Sequence, residues 1–418
     1  MTLLDRMLDD DVRPNRLPDV AWLREYRELG EPAGAPVLLA LGETWDDTPR
    51  ALLDALRHVP HDVHGYQMSM YGLPSLRRRM KRYVADSQRL ADDGTWELAV
   101  TWTGTRSAMR DFAEWVRHQA AGDRPSALAV APAWDYAGFL EPLGFRTRYA
   151  ETSADDGFLP SVAGLREAAA SADDLALVVI NAQHNPTGHN WSQDVVRTLV
   201  EIAVEARAAV LVDDAYFGLC ADGVTATSAT AVLLQTLGEA GTSLPWLSVR
   251  SFGKQFHCNG WGIGSVLAEP GFLDDFVNEL RPRHTFNYAG HLQYAMAEWL
   301  ADGAAVERYL AAERSGLEEK RAAVVREFAL PPGRPGVVAG PAAPYALFPV
   351  PRSYADDERE YLHACAVRAG VFLSPAWPVA RVTRLSGSGY ARMYLGPDLT
   401  TLTEGVERLR KNQLLPEA

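Results

Sequence analysis

Between about residue 95 and residue 268, short apolar runs alternate with stretches of helical character. The runs are Glu97–Trp102, Ala127–Val130, Leu175–Ile180, Ala209–Val212, Trp246–Arg250 and Gly262–Ala268. Several are apolar at consecutive positions rather than at every second one, and Leu175–Ile180 (LALVVI) is the clearest. A strand with one wet face alternates apolar and polar residues, so these runs need apolar cover on both faces. The helical stretches between them, beginning near Arg106, Tyr136 and Gln193, supply that cover. This pattern dictates an α/β architecture: a mostly parallel sheet flanked by helices. Ahead of it, Pro14, Pro18, Pro32 and Pro36 break up the first fifty residues. Behind it, residues 291–330 are nearly all helix-forming and carry no strand signal. Prolines and glycines over 331–336 then interrupt the chain, and the last eighty residues alternate strand and helix again. The expected organisation is an N-terminal arm with part of a small domain over 1–50, a large domain over 51–290, and a connecting helix with a smaller C-terminal α/β domain over 291–418.

Composition removes several function classes. The chain has 418 residues, 47% hydrophobic and 23% charged, with 41 Lys+Arg against 54 Asp+Glu and a net charge of −13. That is ordinary for a globular protein of two to three domains and excludes disorder, collagen and coiled coil. An acidic chain without a basic run is a poor partner for nucleic acid or an anionic membrane. No apolar stretch approaches the roughly 20 residues a membrane helix needs. The acidic start MTLLDRMLDDDV does not read as a secretory signal. Cys220, Cys258 and Cys365 are odd in number and widely spaced, which fits neither a disulfide framework nor a zinc motif. The expectation is a cytoplasmic chain with reduced thiols. His58, His61 and His64 recur every three residues but lack a cysteine or acid framework, so no metal site is expected from them.

Lysine is scarce: Lys81, Lys254, Lys320 and Lys411. Three lie in charged, helix-like contexts. Lys254 instead follows an apolar strand in SVRSFGKQFHCNGWGIG, among small and aromatic residues, where a desolvated amine can act as a nucleophile toward aldehydes. Three further segments precede it. In AVTWTGTRSAMRDF a strand runs into Gly104 and a helix starts near Arg106, which offers phosphate the free N–H groups of a helix N-terminus. Asn185-Pro186-Thr187-Gly188 follows the strand Leu175–Ile180, and on its own reads as a turn. Asp213 ends the buried strand in AVLVDDAY, the edge at which ligands bind in open α/β sheets.

Taken together, NPTG at 185–188, DDAY at 213–216 and SFGK at 251–254 resemble the class I/II aminotransferase family, enzymes of fold type I that use pyridoxal 5′-phosphate. The resemblance runs from about residue 35 to the C-terminus. It implies that Lys254 carries the cofactor as a Schiff base and that Asp213 pairs with the pyridinium nitrogen. It implies that Tyr216 and Asn185 hydrogen-bond the ring's phenolic oxygen and that Trp134 stacks on the ring. Gly104, Thr105 and Ser251 match phosphate contacts. Tyr66, with Tyr71 as competitor, resembles the tyrosine that reaches the phosphate of a partner subunit, so a homodimer with shared sites is implied. Arg392 matches the arginine that holds the substrate α-carboxylate, and hence an α-amino acid substrate. Asn185 also counts as a substrate contact. Glu43 and Trp45 lie where the family has a substrate-facing loop, and Glu43 is a candidate receiver of a cationic side chain. His184 and His257 flank the site as candidates for substrate contact or for plain packing.

Two positions depart from the family pattern. Gly262 stands where an arginine usually binds the phosphate, eight residues after the lysine, and Gly253 replaces a small hydroxyl residue. Arg106, Arg250 and His257 are the candidate replacements for the missing charge, Arg106 first. The implied activity is that of an aminotransferase. The alternative is elimination, replacement or cyclisation on the same site, with an S-adenosylmethionine-like or arginine-like substrate. A transcription regulator with an aminotransferase-like domain is disfavoured, because residues 1–35 are too short and too acidic for a winged helix. Borohydride reduction in the presence of pyridoxal 5′-phosphate should attach the cofactor to Lys254, and Lys254→Ala should remain folded without forming the adduct. Peptide mapping of the reduced protein checks this, and an adduct on Lys81, Lys320 or Lys411 would reject the assignment.

Overall fold

The computed structural model describes residues 18–40, 42–44, 47–172, 174–328, 336–355, 357–376 and 389–416. The chain divides into two compact units. One comprises residues 43–315 and 341–343; the other comprises 1–42, 316–340 and 344–418. The boundary therefore falls inside the helix Gly303–Glu327.

The first unit is built on a seven-stranded sheet: β1 (Glu97–Val100), β2 (Ser126–Val130), β3 (Arg146–Ala150), β4 (Leu175–Ile180), β5 (Ala209–Asp213), β6 (Trp246–Ser251) and β7 (Gly264–Ala268). Their order across the sheet is β1-β7-β6-β5-β4-β2-β3. All pairs are parallel except the two that β7 makes, with β1 and with β6. Strands β2, β5 and β7 are buried at every position, as strands covered on both faces must be. The sequence runs thus fall on strands, and the sheet is mostly parallel as expected. Strand β3 (RTRYA) escaped the sequence reading because it is an edge strand with alternating exposure, three of its five residues being polar.

Helix α1 (Thr105–Gln119) follows β1, and α2 (Gln193–Ala206) follows β4. The apolar residues of α1 that face inward, Ala108, Met109, Phe112, Ala113 and Val116, recur at three- and four-residue intervals. The continuous helical stretch expected over 291–330 is two helices, α3 (Gly290–Trp299) and α4 (Gly303–Glu327). Asp302 stops the run, its Oδ1 accepting the backbone N–H of Ala305 at 2.9 Å as a cap for α4. The proline-rich break over 331–335 lies outside the described residues.

The topology determines what meets at the ligand edge. Because β7 runs against its neighbours, its N-terminal end lies at the edge where β1, β5 and β6 finish. The chain around Gly262 is therefore brought beside the β1–α1 turn, and Thr101 Oγ1 donates to the Gly262 carbonyl at 2.7 Å.

In the second unit, strands Tyr345–Pro349, Tyr390–Tyr394 and Ser374–Pro375 form an antiparallel sheet, and Val37–Leu38 pairs in parallel with Val371–Phe372. Helices Glu358–Ala369 and Leu399–Lys411 accompany them, so this unit is also α/β. Among the described residues, no helix is long and apolar enough to cross a membrane.

Candidate active site

Asp213 is the last residue of β5, and its side chain is buried. One carboxylate oxygen, Oδ2, accepts a hydrogen bond from the Tyr136 hydroxyl at 2.8 Å. The other, Oδ1, is buried without a hydrogen-bond partner among the described residues. Burial pushes this carboxyl up to about 6, against the opposing pull of the Tyr136 hydroxyl and the Ala215 backbone N–H. A buried acid with one occupied and one open oxygen suits a protonated ring nitrogen, which would supply both the missing donor and the compensating charge.

The groups around it are fixed by short-range hydrogen bonds. Asn181, just past β4, donates through Nδ2 to the Asp213 carbonyl at 2.6 Å and accepts the backbone N–H of Asn185 at 2.9 Å. That arrangement aims Asn185 at Tyr216, and Asn185 Nδ2 reaches the Tyr216 hydroxyl at 3.3 Å. The predicted pair is thus brought together, both residues buried. On the neighbouring strand, Ser251 ends β6 and caps the short helix Phe252–Gln255, its hydroxyl accepting the Lys254 backbone N–H at 3.3 Å. Lys254 is half-buried on that helix. Pairing of Asp213 with Val249 sets β5 and β6 side by side, so the acid and the lysine flank one sheet edge.

The phosphate-type cradle is also present. Gly104 precedes α1 with φ 99°, a conformation that favours glycine, and no side chain caps the helix there. The N–H groups at the start of such a helix, with the helix dipole, suit an anion. Trp134 is half-buried, 5.4 Å ring to ring from Tyr136.

The missing arginine has a structural counterpart. Gly262 adopts φ +63°, and a Cβ there would lie 3.1–3.3 Å from the backbone of Thr103 and Gly104. The chain just past the turn Asn259–Trp261 packs closely on the start of α1, so a side chain at 262 would require the backbone of Thr103 and Gly104 to shift. Gly253 has a related cause: its Cβ would meet the Asn259 Cα at 2.8 Å. Both departures follow from one turn packed tightly on two sides. None of the three candidate replacement charges is uncommitted. Arg106 pairs with Asp135 at 2.9 Å and lies over the Trp134 ring at 4.9 Å. Arg250 is fully buried, donates to Gln255 and Ser87, and faces the charge of Asp214. His257 is held by Glu313 at 3.1 Å.

Other sequence candidates sort as follows. His184 is buried between Thr187 and the Trp191 ring, and burial lowers its pKa to about 3, so it is a neutral packing group. Both oxygens of Glu43 are engaged, by Asn259 Nδ2 at 2.7 Å and by the Thr44 backbone N–H at 3.0 Å. This fastens the 43–44 segment to the turn after Lys254. Trp45 lies outside the described residues. Tyr71 donates to Asp274 at 2.9 Å, whereas Tyr66 is 75% exposed. Arg392 lies in the other unit, buried on strand Tyr390–Tyr394, where it donates to the Ala40 carbonyl at 3.2 Å and stacks over Tyr345. Sequence reasoning missed Tyr136, Asn181 and Asn259; each is an ordinary polar residue whose role depends on a partner distant in the chain. Among the described residues, no group of His, Cys, Asp or Glu is placed to hold a metal ion.

The family description "Aminotransferase class I and II" matches residues 36–409. The chain belongs to that family. Members use pyridoxal 5′-phosphate, and the chain is an aminotransferase-type enzyme acting on amino acids. It is 24% identical over 400 residues to an aspartate aminotransferase of Pyrococcus horikoshii, covering 93% of each chain. It is 22% identical over 413 residues to aromatic-amino-acid aminotransferase 2 of Thermococcus litoralis, covering 98% of each. Among solved structures it is similar to the aspartate aminotransferase of Thermus thermophilus with maleate, at TM-score 0.78 and 20% identity, covering 99% of each chain. That likeness fixes the fold.

Asp213 has a neighbour in the same condition. Burial pushes Asp214 up to about 7, with Arg250 opposing and Asp213 adding to the shift. A carboxyl whose pKa is higher folded than unfolded holds its proton more tightly in the folded chain. Its stabilising contribution is complete below about pH 4 and is lost as pH rises through 6 to 7. For Asp213, the rise from 3.8 to about 6 amounts to about 3 kcal/mol. Chemical denaturation of the cofactor-free protein should therefore show stability falling between pH 4.5 and 7.5. In Asp213→Asn that fall should be smaller by about the same amount; an unchanged pH dependence would reject the assignment.

Proposed function

We propose that the chain binds pyridoxal 5′-phosphate on Lys254 and removes the amino group of an α-amino acid by transamination, releasing a keto acid. The observation that carries this is the buried, half-satisfied carboxylate of Asp213 beside the Asn185–Tyr216 pair and the Lys254 helix. Bound there, the cofactor supplies an electron-withdrawing ring that stabilises negative charge at the substrate α carbon. Lys254 would hold it covalently through Nζ, and the same nitrogen would serve as the base that accepts the α proton. Asp213 Oδ1 keeps a proton on the ring nitrogen. Tyr216 and Asn185 hydrogen-bond the phenolic oxygen, and Trp134 covers one ring face and excludes water. Thr105, Ser251 and the N–H groups after Gly104 receive the phosphate, with Arg106 adding charge at its margin. The family resemblance assigns the substrate carboxylate to Arg392, as a bidentate pair. Glu43 acts by holding its segment on Asn259.

The same reading includes a homodimer. Tyr66, Met68, Phe286 and Leu53 are exposed by 75%, 81%, 58% and 43%. Leu53 lies on the helix Arg50–Ala55, and Tyr66 and Met68 follow the turn His61–His64. Both elements pack against α3, which Phe286 precedes. Large apolar side chains exposed on adjoining segments suit burial against a second copy, and Tyr66 is then free to reach the partner's phosphate.

Candidate amino acids added to the purified, cofactor-loaded protein should convert pyridoxal phosphate to pyridoxamine phosphate with formation of the keto acid, read by absorbance and product mass. Release of ammonia with the aldehyde form retained would mean elimination instead. Light scattering should give the mass of a dimer, and Met68→Asp should shift it toward monomer. A fully active monomer would reject the shared site.

A further inference from the structure

We infer that Tyr136 is a positioning residue that keeps Asp213 ionised and turned so that Oδ1 faces the cofactor's ring nitrogen. This rests on the cofactor reading above and extends it to a residue for which no role has been assigned. The Tyr136 hydroxyl donates to Asp213 Oδ2 at 2.8 Å, and both side chains are buried. It is the only side-chain hydrogen bond to that carboxylate among the described residues. No salt bridge to Asp213 is formed by any described residue, so Tyr136 takes the place that a cation would usually fill. Burial first, and then the charge of Asp213, hold the Tyr136 hydroxyl well above its ordinary range, so it stays protonated and always donates.

Tyr136 is itself located by its neighbours. Trp134 stands edge-on to its ring at 5.4 Å and Phe139 at 6.3 Å. Between Trp134 and Tyr136, Asp135 pairs with Arg106 and accepts the Gly138 backbone N–H at 3.0 Å. Three consecutive side chains therefore serve three parts of one site. Residue 134 covers the ring, residue 135 fastens the segment to the phosphate helix, and residue 136 fixes the acid.

The inference concerns one proton. With the cofactor bound, an ionised Asp213 would face a protonated ring nitrogen, and the Tyr136 hydroxyl would donate to that carboxylate. Without the Tyr136 hydroxyl that anion loses its one side-chain donor, and charge separation becomes less favourable. A ligand without the ring nitrogen makes no such demand.

The test compares wild type and Tyr136→Phe for equilibrium binding of pyridoxal 5′-phosphate and of an analogue with carbon in place of the ring nitrogen, across pH 5 to 8. Loss of a hydrogen bond to a charged group corresponds to roughly a ten- to hundredfold change in affinity. Tyr136→Phe should lose about that much for the natural cofactor, most at the acid end, and only a small factor for the carbon analogue. It should have little further effect in an Asp213→Asn background. An equal loss for both ligands would mean that Tyr136 only supports the fold, and would overturn the inference. If Tyr136→Phe does not accumulate as folded protein, Tyr136→His, which retains a ring donor, is compared in the same way. It should keep the wild-type preference between the two ligands, and a lost preference would overturn the inference. A wild type that binds no pyridoxal phosphate at any pH would remove the cofactor reading and this inference with it.

Discussion

The structure of the site depends on one buried negative charge. Asp213 ends a strand covered on both faces, where an isolated carboxylate is expensive. Cationic residues usually relieve such a cost, but here the buried guanidinium of Arg250 faces the adjacent Asp214. Among the described residues, Asp213 has a phenol on one oxygen and no hydrogen-bond partner on the other. That incomplete satisfaction makes the position useful. The energy withheld from the fold is available to a ligand carrying a protonated ring nitrogen. The two hydrogen bonds of Asn181, in turn, tie the Asn185 backbone to the end of β5, and Asn185 reaches the Tyr216 hydroxyl.

The phosphate end shows a different balance. The turn Asn259–Trp261 packs against Gly253 on one side, and the chain beyond it reaches Gly104 on the other at Gly262. It is tied to the 43–44 segment through Glu43. A side chain at 262 would press on the backbone of Thr103 and Gly104, so the proposed phosphate site relies on helix N-terminal N–H groups and hydroxyls in place of an arginine there. Arg106 is near enough to the stacking tryptophan to lie on its ring, but Asp135 neutralises much of its charge.

Much of this was legible in the chain. The apolar runs identify six of the seven strands of the large sheet, because burial on both faces leaves a pattern that no other element imitates at that length. The exception, β3, lies at the sheet edge, where solvent on one side permits arginine and threonine. Lys254, Asp213, Asn185 and Tyr216 were recognisable because each lies at a strand end within a short motif. Tyr136 was not, since its neighbours in sequence give no sign of the carboxylate 77 residues further on. The single helix expected over 291–330 is broken at Asp302, where a side-chain cap offered the backbone an alternative to continuing.

The sequence by itself indicated the α/β class through its apolar runs, and its resemblance to the aminotransferase family marked the candidate site residues and the departures at 253 and 262. Those readings are local: they rest on short motifs and their spacing along the chain. Only the tertiary structure decided which groups are paired and which are left open. It assigned Tyr136 to Asp213, Arg250 to the neighbourhood of Asp214, His257 to Glu313 and Glu43 to Asn259, and it left Tyr66 exposed while Tyr71 is engaged. Charge and hydrogen-bond satisfaction depend on distances between residues remote in the chain, and the antiparallel strand β7 sets several of those distances by returning the chain to the ligand edge.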